Sequence, residues 1–181
     1  MPGKNGAGVH RAIVTDNKDP EARGRLRVKV PEVESGEVWA ELATLMAGNG
    51  YGTAFIPDIG DEVLVAFEAG DLDRPFVIGA LWGAGEQAPT GSGAAKIIRT
   101  RCGATITIDD ARCEIRIEAL GGIRLTTSSR LHTQSSDAVF DAAQLSFNSG
   151  VATFSGVVKC DTLIANSVVA ASYSPGAGNV M

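Results

Sequence analysis

The chain has 181 residues, of which 44% are hydrophobic and 20% charged, with a net charge of −5. That composition can bury a core and excludes a disordered chain, while the acidic balance excludes overall phosphate neutralisation as a way of holding nucleic acid. Twenty-two glycines with abundant Val, Ile and Thr, and few helix-spaced runs of Ala, Leu, Glu and Lys, predict an all-β protein.

The opening residues, MPGKNGAGVHRA, lack the apolar centre of a signal peptide, and no stretch approaches the roughly 20 apolar residues of a transmembrane helix, so synthesis in the cytoplasm is expected. Cys102, Cys113 and Cys160 form no CxxC pair and are odd in number, which argues against a disulfide framework. From Val9 to Trp82 the grammar is that of short strands between turns. Leu26, Val28 and Val30 alternate with Arg25, Arg27 and Lys29, a period-2 strand with one face toward a core. The preceding DPEARG is a turn, in which Pro20 fixes φ and Gly24 admits positive φ. VWAEL, TAFI, DEVLVAF and RPFVIGAL are read as further strands, punctuated by Pro57, Gly60, Gly70 and Asp71. Five or six such strands suit a small closed Greek-key barrel of the OB type.

Residues 83–95 are rich in Gly, Ala, Pro, Ser and Thr and read as a linker. Beyond them come short alternating runs, ATITI, CEIRIEA and GIRLTT, with two or three turn residues between them. Ile106, Ile115, Ile123, Leu131, Val139, Phe147, Phe154 and Leu163 mark apolar anchors about eight residues apart. Strands that short cannot bury a face alone, so the spacing predicts a solenoid or β-helix, and the sparse apolar content requires several chains wound together. In CEIRIEA, Glu114, Arg116 and Glu118 are expected outside, with Ile115 and Ile117 inside.

Three turns carry a resemblance: DP-x3-GR (Asp19, Pro20, Gly24, Arg25), P-x2-GDEV (Pro57, Gly60, Asp61, Glu62, Val63) and GD-x2-RP (Gly70, Asp71, Arg74, Pro75). Together they resemble the OB domain of phage baseplate assembly protein V and VgrG, central spike proteins of contractile injection machines. The segment Ile97 to Asp110 looks like the start of that family's β-helix. The resemblance implies a homotrimeric needle whose OB end meets a baseplate hub protein and whose shaft points at the target cell envelope. It divides the chain into a tail (1–8), an OB domain (9–82), a linker (83–95), an intertwined β-helix shaft (96–172) and a C-terminal segment (173–181). That last segment, with Tyr173, Pro175, Gly176, Gly178 and Asn179, is expected to close the shaft as a tip or, the reading favoured, to form a platform for a separate PAAR-type tip protein.

Rival readings of single residues are weaker. Arg23, Arg25, Arg27 and Lys29 form one alternating basic face, which reads as a solvated face and not a nucleic-acid site. Asp58, Asp61, Glu62, Glu68 and Asp71 lack the D-x-D-x-D-G order of a calcium loop and are explained by turn chemistry. Some relatives of the family hold a metal at the needle tip through an H-x-H pair, but here His10 and His132 are far apart, and His132 is expected on the outside beside Leu131. Trp39 and Trp82 are expected in the core or an interface. No catalytic residue, cofactor or metal site is assigned. The expected function is a non-enzymatic structural spike of a phage-tail-like injection particle, helping to breach the target envelope. The alternatives are an OB-fold ligand-binding module with a solenoid tail and, less well supported, a small cell-wall hydrolase.

Overall fold

The computed structural model describes residues 7–31, 36–89 and 92–172. The chain divides into two units, Met1–Leu125 and Thr126–Met181. In the first, strands β1 (Val9–Asp16), β2 (Leu26–Lys29), β3 (Val38–Leu42), β6 (Glu62–Phe67) and β7 (Pro75–Leu81) close a barrel in the order β1-β2-β3-β7-β6. All neighbours are antiparallel except β3 and β7, which run parallel. Five strands closed this way, with one parallel pair, form the OB-type Greek-key barrel expected from the sequence.

Alternation supplies the core. Ala12 and Val14 of β1, Leu26 and Val28 of β2, Val63, Val65 and Phe67 of β6 and Val77 of β7 point inward with Val30 and Ala40, while Arg27 and Lys29 between them face solvent. Two bulges shape the wall. Val14 pairs with Val28 and Asp16 with Arg27, leaving Thr15 as the extra residue. Leu64 pairs with Gly79 and Val65 with Val77, so Ile78 is extra and projects outward, half-exposed.

The expected TAFI strand does not form. Between β3 and β6 the chain makes a two-residue ladder, β4 (Ala47–Gly48) against β5 (Tyr51–Gly52), and Thr53–Ile56 runs on without pairing in a sheet. Gly48 lies under the Tyr51 ring with no room for a Cβ, and this tight crossing takes up the segment before Pro57 ends it. Thr53 is held instead by its N–H to the Met46 carbonyl at 2.9 Å and its carbonyl to the Thr44 hydroxyl at 2.7 Å.

Past the linker, β8 (Ala95–Arg99), β9 (Thr105–Asp109) and β10 (Glu114–Glu118) form an antiparallel sheet with β9 in the middle. This departs from the expected solenoid rungs, because the turns at Thr100–Ala104 and Asp110–Cys113 are tight enough to fold each strand back on the last. Thr100 N–H bonds the Ala104 carbonyl at 2.9 Å and Gly103 N–H the Thr100 carbonyl at 3.0 Å, and Cys113 adopts φ 52°. No residue of this sheet is buried.

Among the described residues, 119–172 contain no strand. The chain there bends at Leu120–Gly121, Ser128–Ser129, Ser136, Ala143, Gly150, Ser155–Gly156, Asp161, Asn166 and Ala171. Bends are seven or eight residues apart as far as Gly150 and five or six apart after it. The anchors Ile123, Leu131, Val139, Phe147, Phe154 and Leu163 each fall between two bends, and every one is exposed.

Candidate functional site

The three turns that carry the family resemblance are built around side-chain locks. Asp19 has the densest. Its carboxylate accepts the backbone N–H of Glu21 (3.0 Å), Arg23 (2.9 Å) and Arg25 (3.2 Å), and it takes the Arg25 guanidinium at 2.8 Å. The Asp19 side chain is only 3% exposed. The Arg25 guanidinium and these backbone donors hold its carboxyl well below the usual carboxylate range. Arg25 in turn lies over the Trp39 ring at 5.6 Å and reaches Glu21 at 2.9 Å. Gly24, at φ +77°, lets the loop swing back beneath Asp19.

The second turn joins the barrel to β6. Asp61 Oδ2 accepts the Asp58 N–H at 2.8 Å, Asp61 N–H bonds the Asp58 carbonyl at 3.1 Å, and Gly60, at φ +97°, gives its N–H to the Val14 carbonyl at 2.9 Å. Asn17 fastens the same turn by donating to the Pro57 carbonyl at 3.1 Å. Glu62 faces outward to Arg11 at 2.6 Å, and Asp58 pairs with Arg101 from the β8–β9 turn.

In the third turn Glu68 N–H bonds the Arg74 carbonyl (3.0 Å) and Arg74 N–H the Asp71 carbonyl (3.0 Å), with the Arg74 guanidinium on Glu68 at 2.9 Å. Ala69 and Gly70 both take positive φ, and Pro75 opens β7. The fold brings the first and third turns together. Arg23, Arg25, Trp39, Glu41, Glu68, Asp73, Arg74 and Phe76 line one groove of about 430 Å³, closed by Arg23 on Glu41 at 2.8 Å. The second turn stands apart from that groove.

Each carboxylate weighed as a catalytic or metal-binding candidate is therefore engaged locally. Asp61 and Asp71 cap backbone donors, and Asp58, Glu62 and Glu68 pair with arginine. Trp39 serves as the platform for Arg25. Trp82, expected in the core or an interface, lies outside the barrel core and is exposed in the single chain. Tyr173, Pro175, Gly176, Gly178 and Asn179 lie outside the described residues.

The surface that single residues did not advertise is the isoleucine face of the second sheet. Across β8, β9 and β10, Ile98, Ile106 and Ile117 stand in one row, and Lys96, Ile108 and Ile115 in the next. The opposite face presents Arg99, Thr105, Thr107, Asp109, Glu114, Arg116 and Glu118, with Ala95 and Ile97. The five isoleucines of the first face remain between 41% and 71% exposed, far more than a sheet leaves on a face meant for its own core.

The family-model match falls on the barrel. Residues 10–82 match the model of the Type VI secretion system/phage-baseplate injector OB domain. The resemblance drawn from the turns is borne out. The chain is 37% identical over 92 residues to the type VI secretion system spike protein VgrG4b of Pseudomonas aeruginosa, covering 45% of this chain and 11% of that protein. It is 38% identical over 56 residues to VgrG1a of the same organism (31% and 9%), and 36% identical over 72 residues to VgrG3 of Vibrio cholerae (36% and 7%). The chain thus spans about a tenth or less of the length of the curated relatives it matches. Among the described residues no helix is long and apolar enough to cross a membrane.

Proposed function

We propose that this chain is a non-enzymatic, homotrimeric central spike of a phage-tail-like contractile injection system. In this reading the VgrG-like OB barrel seats on the tube hub. The residues beyond the linker wind with two other copies into a β-helix that bears on the target envelope, its C-terminal segment forming a tip or receiving a PAAR-type tip protein.

The observation that carries the reading is the condition of residues 95–172. A sheet with five isoleucines in register on one face is followed by a strandless segment that bends every five to eight residues and whose apolar anchors are all exposed. Within 119–172 the described hydrogen bonds are short-range, such as Ser129 N–H to Thr127 Oγ1 at 3.2 Å and Ser149 Oγ to the Val151 carbonyl at 3.1 Å. Burying such a surface is worth about 25 cal/mol per Å², and extended backbone needs ladder partners. Further copies of the same chain supply both at once. Recurrent bends, seven or eight residues apart as far as Gly150 and five or six apart after it, suit strands that turn about a common axis.

The deciding experiment is the mass of the full-length protein by light scattering, beside a truncated chain ending at Gly91. A trimer that becomes monomeric on truncation is the expected result. A full-length monomer overturns the spike reading and returns the chain to an OB-fold ligand-binding module.

A further inference from the structure

Residues 53–56, Thr-Ala-Phe-Ile, have the content of a strand and no strand partner. Residues 53–58 carry neither turn nor bend, none has positive φ, and Pro57 biases Ile56 to the extended region. Thr53 uses both backbone groups on its own loop, its N–H on the Met46 carbonyl at 2.9 Å and its carbonyl on the Thr44 hydroxyl at 2.7 Å. Alternate residues of an extended chain address opposite edges, so Ala54 and Ile56 turn their N–H and C=O away from that loop. None of the described hydrogen bonds involves Ala54, Phe55 or Ile56, and all three are exposed.

Two cavities open along this strip. Leu45, Phe55 and Ile78 line one of about 330 Å³ and are 93%, 65% and 49% exposed, Ile78 being the bulge residue of β7. Ile56 and Pro57 line the other, of about 440 Å³, together with Arg99 and Arg101. Arg101 pairs with Asp58, whereas the Arg99 side chain has no ion pair or hydrogen bond among the described residues. The groove shared by the first and third turns includes none of these residues.

We infer that residues 53–56 are an acceptor edge for an extended strand of a partner protein, one with apolar side chains at alternate positions and a carboxylate for Arg99. Strand addition satisfies the backbone groups that the chain leaves open, and alternate side chains of the incoming strand fill the cavities beside it. The unpaired Arg99 guanidinium selects the sign of its charge. This inference stands apart from the trimeric reading, since the strip, both cavities and Arg99 belong to one chain.

The test uses the full-length protein and the synthetic peptide acetyl-Glu-Val-Thr-Val-Thr-Glu-amide. Two analogues accompany it, one N-methylated at every second residue and one with Lys in place of both Glu. Hydrogen–deuterium exchange read by mass spectrometry localises the binding. The amides of residues 54–56 are expected to exchange freely in the protein alone and to slow by about tenfold at saturating Glu peptide, with no protection along β8 or β10. The Lys analogue is expected to bind about fivefold more weakly, with the order reversed in Arg99→Glu, and the N-methylated analogue not to bind. The wild-type comparison of the two charges decides the matter even where Arg99→Glu fails to fold. Protection already present in the protein alone would mean that a second copy covers the strip, and would overturn the inference. So would equal binding of the N-methylated analogue, indifference of the wild type to the exchange of Glu for Lys, protection confined to β8 or β10, or no binding of any peptide. A monomer by light scattering that takes the Glu peptide at residues 54–56 would keep this inference and remove the spike reading, and a trimer that ignores the peptide would do the reverse.

Discussion

Asp19 organises more backbone than any other described side chain, and its contribution to the barrel is open to direct test. Asp19→Asn keeps the shape but removes the charge that Arg25 and three N–H groups address. The melting temperature of the chain ending at Gly91 is expected to fall by about 5 °C, read by circular dichroism. The pH dependence follows from the depressed carboxyl. The unfolded chain binds a proton near the ordinary value of 3.8 while the folded one resists it, so the stabilisation is fully present above that value and is lost as pH falls below it. The gap in melting temperature between wild type and Asp19→Asn should therefore be constant at neutral pH and close as the pH is lowered through 3.8 and beyond. A gap that stays constant into strong acid would show that the lock acts through shape alone. Cys102 offers a second test at this scale, its thiol lowered by the Thr100 hydroxyl and then by the Ala104 backbone. It is expected to be the first of the three cysteines alkylated at neutral pH, by mass spectrometry of tryptic peptides.

At the scale of elements, barrel and sheet make opposite predictions. Leu26 is fully buried between the barrel strands, so Leu26→Ala should cost about 2–5 kcal/mol of barrel stability in denaturant titration, with or without the shaft. Ile106 and Ile117 face each other across β9 and β10 but remain exposed in the single chain. Ile106→Asp with Ile117→Asp should therefore abolish the trimer of the full chain while leaving the melting of its barrel unchanged. Retention of the trimer would mean that the isoleucine face is not the assembly surface. On the opposite side the exposed pair of Arg116 on Glu114 at 3.1 Å is worth little, and its loss should change little.

For the whole molecule, the proposed trimeric shaft, without a core in the single chain, would make folding inseparable from association. Unfolding of the full chain should be slow and should depend on scan rate, whereas the chain ending at Gly91 should melt reversibly at a temperature independent of concentration. The barrel is legible in the sequence because its strands alternate and its turns carry Asp, Gly and Pro at positions where the backbone demands them: Gly24, Gly60 and Gly70 all take positive φ. TAFI reads as a strand but is not one, because β propensity does not report the close Gly48–Tyr51 crossing that precedes it. Trp82 lies outside the core because an aromatic residue closing an apolar run gives no sign of which side it faces.

The sequence by itself determined the barrel's strand alternation, its three turns and the near-regular spacing of apolar anchors beyond residue 96, because each is written in residues a few positions apart. Tertiary structure alone decided that the first and third turns share a groove and that β8, β9 and β10 align their isoleucines on one face. Those relations join residues distant in the chain, and only the closure of the barrel and the register between strands brings them together.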